Sequence, residues 1–144
     1  MTDVVHAPSG GLVPPELRAY SADVVTRLRA LTGRLPDALR EPVHALTANP
    51  GKRLRSTLLG ACAHLAGHDR TRVVRLGAMV ELLHLASLVH DDVIDRADVR
   101  RDMPAAHVVA GNEVAVLAGL ACFALAGMEA ADLGAGVDRM VSRT

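Results

Sequence analysis

The chain has 144 residues and no formal net charge; half of it is hydrophobic, and Tyr20 and Phe123 are its only large aromatic side chains. With no basic excess and almost no rings to stack on bases, nucleic-acid binding is not expected, and no acidic excess marks a solvated tail. The length suits one domain with a real core, and an apolar content of Leu, Ala and Val, with Gly and Pro mostly at segment ends, predicts an all-α fold.

Residues 1–13, rich in Gly, Ser and Pro, read as a flexible N-terminal arm, and residues 14–144 as one helical domain. Nothing before residue 15 reads as a signal peptide, which points to a cytoplasmic, reducing compartment. Pro14 and Pro15 suit the first positions of a helix, whose periodicity runs from Leu17 to Leu31 and ends near Gly33. Pro36 opens a short second helix through Leu46, stopped by Asn49-Pro50-Gly51. A third helix spans Leu54–Leu65 and is closed by Gly67. The fourth, Thr71–Asp95, is followed by a connection over residues 96–103. Asn112 is the expected cap of a last long helix over residues 113–131, with Gly134 and Gly136 beyond it. Its uncharged run, Val114–Met128, is 15 residues, too short for a membrane span, so it reads as a core helix. Cys62 and Cys122 lie in apolar runs and read as small core residues.

The chemistry gathers in residues 81–101, ELLHLASLVHDDVIDRADVRR. On a helix, Glu81, His84, Ser87, Asp91 and Asp95 form one polar stripe with apolar residues nearly all round it. Such a helix is usually buried, and buried carboxylates must be paired or bound to metal. Asp91, Asp92 and Asp95 lie at a helix C-terminus, where the helix dipole disfavours them. A hard cation such as Mg²⁺ would offset that charge, and Arg100 and Arg101 close by suit a phosphorylated ligand. The bland alternative is an acidic helix end salt-bridged at the surface. A second cluster, Gly51-Lys52-Arg53-Leu54-Arg55, sits at a loop-to-helix junction that favours anions. It holds the only lysine, against 15 arginines; alone it reads equally as a solvated basic cap.

These motifs resemble the trans-isoprenyl diphosphate synthases, the polyprenyl synthetase family. GKRLRS at 51–56 is similar to that family's GKxxRP motif, and DDVID at 91–95 to its first aspartate-rich motif, DDxxD. Arg100-Arg101 match the arginine pair that follows, and ELLH at 81–84 and GNEVAVLAG at 111–119 also look familial. The resemblance covers roughly residues 40–130. It implies an all-α helical bundle equivalent to the N-terminal half of the isoprenoid synthase fold. It also implies a prenyltransferase that joins isopentenyl diphosphate to an allylic diphosphate. In that reading Asp91 and Asp95 hold Mg²⁺, with Asp92 supporting them. Arg100 contacts the allylic diphosphate, while Lys52, Arg55, His84 and Arg101 bind isopentenyl diphosphate. Ala86 and Ser87, the fifth and fourth residues before the first aspartate, would line the product tunnel. Both are small, so products longer than the farnesyl class are expected.

Three positions depart from the family pattern. Ser56 stands for a proline, Asp102 for a glycine and Leu120 for an aspartate. The second aspartate-rich motif is absent, so the expected assembly is a homo- or hetero-oligomer with a chain that supplies it. The other readings are a catalytically inactive helical interaction or regulatory subunit, a gene fragment, and a di-iron carboxylate bundle. The last rests on the E-x-x-H spacing of Glu41–His44 and Glu81–His84, although Pro42 places Glu41 near a helix start.

Overall fold

The computed structural model describes residues 13–48, 52–100 and 102–143. In chain order these form α1 (Pro15–Thr32), α2 (Asp37–Ala48), α3 (Leu54–Leu65), α4 (Arg70–Asp95), the strands β1 (Val99–Arg100) and β2 (Met103–Pro104), α5 (Ala106–Ala110), α6 (Asn112–Leu133) and α7 (Ala135–Val141). The fold is all-α, and the third helix and the end of the fourth lie where periodicity put them. Residues 1–12 of the expected arm and the Asn49-Pro50-Gly51 stop lie outside the described residues.

Several boundaries differ for local reasons. α4 starts at Arg70 because Asp69 caps it, accepting the Arg72 N–H at 2.9 Å. Asn112 is the first residue of α6, not its cap; Gly111 holds the cap position at φ 85°, a backbone conformation that suits glycine. Pro42 lies inside α2, so Glu41 is mid-helix instead of near a start. The hairpin falls largely in the expected connection over residues 96–103, and α5 and α7 are not foreseen, since elements of two to seven residues carry no periodic signature.

α4 is the central helix, packed by α6, α3 and α1. Tyr20, Val24, Leu28 and Leu31 recur at helical spacing on α1 and are buried in one cluster with Ala78, Met79 and Leu82 of α4. α6 adds Ala118, Cys122, Ala126 and Ala130 to that cluster. Side chains this small let the α4 and α6 backbones approach closely. A Cβ at Gly60 of α3 or Gly77 of α4 would collide with the Tyr20 ring, so both positions require glycine. Burial pushes the Cys122 thiol up to about 11. Cys62, in contrast, is exposed. It shares the outward face of α3 with Leu54, Leu58 and Leu65, which an apolar run does not distinguish from the inward one.

Charge also enters the bundle. Glu129 of α6 is buried and accepts from Arg75 Nε at 2.9 Å and from Arg27 Nε at 3.3 Å, and it pairs with Arg27 Nη2. Arg75 reaches on to Asp132 at 2.8 Å. Burial alone would raise the Glu129 carboxyl; Arg75 and Arg27 outweigh it and hold it below the ordinary carboxylate range. Glu129 and Asp132 of α6 thus tie α1, α4 and α6 together.

Two apolar stripes face outward. One is the Leu54, Leu58 and Leu65 face of α3; the other is Val116, Leu117, Leu120, Phe123 and Met128 of α6. α4 and α6 are long and apolar enough to cross a bilayer by length and composition alone, but about half of each apolar window is buried against other helices.

Candidate functional site

The last turn of α4 separates its three aspartates. Asp91 and Asp95, one turn apart on the predicted stripe, are exposed. Asp92 is 1 % exposed and does not join them. Its Oδ1 accepts Arg100 Nε at 2.8 Å and pairs with Arg100 Nη2, while its buried Oδ2 has no hydrogen-bond partner among the described residues. All three carboxylates lie at the helix C-terminus as expected, but only Asp91 and Asp95 open to the surface. A residue one place along a helix points about 100° away, and that turn carries Asp92 inward. Glu81, also assigned to the polar stripe, is likewise buried.

A chain reversal delivers Arg100. Arg96 caps the C-terminus of α4 in the left-handed region at φ 55°, with the Ala97 N–H donating to Asp92 O at 3.0 Å. The hairpin then pairs Val99 with Pro104 and Arg100 with Met103. Asp102, in its turn, has φ 63°. That geometry explains an expected glycine there, and Asp is among the side chains that tolerate it best. The bond to Asp92 raises the Arg100 pKa most; burial opposes it, and the charges of Asp92, Asp91 and Asp95 add to it. Arg100 thus sits in the field of all three aspartates. Arg101 lies outside the described residues.

The basic cluster lies against α4 two turns earlier. Arg53 holds the cap position of α3 at φ 43°, without a side-chain cap bond. The first helical bond of α3 runs from Thr57 N–H to Arg53 O at 3.0 Å, so the Ser56 N–H finds no acceptor within the helix. It donates instead to Glu81 Oε1 of α4 at 3.2 Å. Arg53, whose Nε is buried without a partner among the described residues, has its pKa lowered by burial, with Glu81 opposing that shift. Arg55 Nη1 donates to His84 Nε2 at 3.1 Å. A guanidinium cannot accept, so that His84 nitrogen carries the lone pair. Lys52 is exposed. Arg53, Arg96 and Asp102 are the only non-glycine residues with positive φ among those described, and all three bracket this region. Backbone strain of this kind gathers at functional sites.

Asp91 and Asp95 present hard oxygens, but among the described residues no three His, Cys, Asp or Glu side chains are grouped to hold a metal. Mg²⁺ takes one or two carboxylates and completes its shell with phosphate oxygens and water, so the pair fits that use. The same finding leaves no four-ligand di-iron arrangement among the described residues, and Glu81 is already bonded to Ser56.

Ala86 is fully buried in the main core, so packing alone accounts for its size; Ser87 is exposed and donates to Leu83 O at 3.0 Å. A cavity of about 640 Å³ lies beside the hairpin, lined by Leu85, Leu88, Pro104, Ala106 and Val109 with Glu41 and Arg100; neither Ala86 nor Ser87 borders it. Neither the cavity nor the role of His90 was legible from periodicity or motif spacing. That ring lies over Gly119, leaves no room there for a Cβ, and makes a 3.2 Å hydrogen bond to Val116 O. It also packs on Phe123 at 5.7 Å between ring centroids, which fixes α6 beside the aspartates.

Comparison with known proteins places this arrangement. The polyprenyl synthetase family model matches residues 36–142. The short chain isoprenyl diphosphate synthase of Methanothermobacter thermautotrophicus is 37% identical over 112 residues, which are 76% of this chain and 34% of that protein. The solved decaprenyl diphosphate synthase of Rhodobacter capsulatus aligns with a TM-score of 0.82 at 33% identity, covering 88% of this chain and 40% of that one. A Caulobacter crescentus polyprenyl synthase, solved with calcium and isoprenyl diphosphate, aligns with a TM-score of 0.71 at 39% identity, over 81% of this chain and 36% of that one. The match spans between 23% and 34% of the length of curated relatives such as the Methanothermobacter synthase.

Proposed function

The chain belongs to the polyprenyl synthetase family, and from that premise we propose that it is the diphosphate-binding half of a Mg²⁺-dependent prenyltransferase of cytoplasmic isoprenoid biosynthesis. The observation that carries this reading is that α4 bears two separate grips. Asp91 and Asp95 stand at its end, and His84, bonded to Arg55, stands seven residues earlier. At the helical rise that is about 10 Å along the axis, room for two diphosphates on one helix.

In the proposed reaction the allylic C–O bond breaks and its electron pair leaves with the diphosphate. The alkene of isopentenyl diphosphate attacks the cation, a C–C bond forms, and a proton is lost. Mg²⁺, when bound at Asp91 and Asp95, supplies Lewis-acid neutralisation of the leaving diphosphate. Asp92 holds Arg100 toward that same diphosphate. Lys52, Arg55, His84 and Arg101 hold isopentenyl diphosphate. Ser87, with Ala86 behind it, leaves the path below the aspartates open to a product longer than the farnesyl class. The apolar stripes of α3 and α6 are the natural seat of the helices that would close the site, supplied by a partner chain carrying a second aspartate-rich motif.

A catalytically inactive interaction subunit is the second reading. Leu120 favours it, because it extends the α6 stripe where the family pattern has an aspartate. The test is calorimetric titration of inorganic pyrophosphate with and without Mg²⁺, beside a prenyl-transfer assay of the chain alone and with a candidate partner. Mg²⁺-dependent binding that falls at least about tenfold in Asp91→Ala is expected, with turnover only in the mixed assembly. Equal affinity with and without metal would remove the metal grip. Binding without turnover in any assembly would favour the inactive subunit.

A further inference from the structure

The Glu81 carboxylate plays no part in the proposed chemistry, yet it is 5 % exposed and lies directly beneath the basic cluster. A buried charge needs a partner. Its described partner is the Ser56 N–H, an orphan donor of the first turn of α3. The cap residue Arg53 gives that turn no side-chain bond, so α4 caps α3 from outside. Glu81 and His84 are three residues apart on one face of α4. Two hydrogen bonds between these helices, Glu81 to Ser56 and His84 to Arg55, therefore involve consecutive residues of α3. A proline at position 56 could not donate the first of them.

We infer that Glu81 is a positioning residue for the basic cluster: by accepting the Ser56 N–H it fixes the first turn of α3, so that Lys52 and Arg55 face the anion beside His84. The inference rests on the diphosphate reading of Lys52, Arg55 and His84. It also carries an opposing effect of known sign. A buried negative charge one turn from an anion site repels the anion, so electrostatics alone would make removal of Glu81 tighten binding. Positioning makes removal loosen it.

The experiment is calorimetric titration of the full chain with inorganic pyrophosphate, without added metal, together with hydrogen exchange at the Ser56 amide. Glu81→Ala is expected to weaken binding about tenfold and to expose the Ser56 amide to exchange. Glu81→Gln keeps an acceptor oxygen and should retain amide protection, with affinity within about threefold of wild type. Unchanged or tighter binding by Glu81→Ala overturns the inference, as does equal weakening by Gln and Ala. If Glu81→Ala does not fold, the wild-type and Glu81→Gln amides decide: slow exchange in both upholds the bond, and fast exchange in wild type overturns it. Arg55→Ala separates the two levels. Wild-type binding that Arg55→Ala leaves intact sinks the diphosphate reading of the cluster, whereas binding lost in Arg55→Ala but kept in Glu81→Ala sinks only the role of Glu81.

Discussion

Two buried carboxylates sit at different places in the α4–α6 pair and are treated differently. Glu129 is 2 % exposed and meets two arginines that between them engage both its oxygens. Asp92 is 1 % exposed and meets one arginine on one oxygen, and its other oxygen has no hydrogen-bond partner among the described residues. The first arrangement completes itself within the fold; the second does not. A buried polar atom left without a partner costs stability, and such atoms persist where something else uses them. The contrast separates a carboxylate that holds helices together from one that, in the proposed reading, holds Arg100 toward a diphosphate.

The strongest way to break the contrast is to delete each carboxylate. Glu129→Ala strands Arg27 and Arg75 and should cost about 3 kcal/mol in urea unfolding. Asp92→Ala should cost about 1 kcal/mol, because the unpartnered oxygen leaves with the side chain and Arg100 can rehydrate. Similar costs for the two would erase the distinction. The order should reverse in ligand binding. There Asp92→Ala should lose about tenfold in Mg²⁺-dependent pyrophosphate affinity, as loss of a ligand-orienting partner does. Glu129→Ala, titrated below its unfolding midpoint, should stay within about twofold of wild type.

Acid sharpens the contrast further. A carboxyl held below its ordinary range stabilises the fold above the unfolded-state value, about 4.3 for Glu, and that stability disappears as pH falls through the lower folded value. Urea midpoints of the wild type should therefore fall more steeply below about pH 4.3 than those of Glu129→Gln. Parallel curves would show that the two arginines add nothing. The smallest effect is expected at Ser87. Ser87→Phe should change stability by no more than about 0.5 kcal/mol because the site is exposed. Ala86→Phe should overpack the core and cost about 2 kcal/mol. In an active assembly Ser87→Phe should also shorten the products, read by chromatography after dephosphorylation; unchanged lengths would withdraw Ser87 from the tunnel.

Whatever depends on periodicity was legible in the sequence. The Leu54–Leu65 helix, the end of α4 at Asp95 and the placement of His84 and Asp91 on one face all follow from 100° per residue. What depends on distant partners was not. Glu129 meets residues 102 and 54 positions away, so in the sequence it is one acid among several. Asp92 reads only as a support for Asp91 and Asp95, with no named partner, until the hairpin brings Arg100 back across eight residues. The Ser56–Glu81 bond could not be seen at all, because one partner is a backbone N–H and every residue but proline has one.

Tyr20 gives this architecture a practical consequence. It is the only tyrosine in a chain without tryptophan, and its ring lies where α1, α3 and α4 meet, against Gly60 and Gly77. The intrinsic ultraviolet signal of the molecule is thus almost wholly a reading of that one junction. Burial, helped by Glu81, pushes its phenol up to about 12, so phenolate absorbance that develops near pH 10 reports a junction already open. Loosening at the Glu81 end of α3 can be watched in the unlabelled protein, by light that no other side chain competes for.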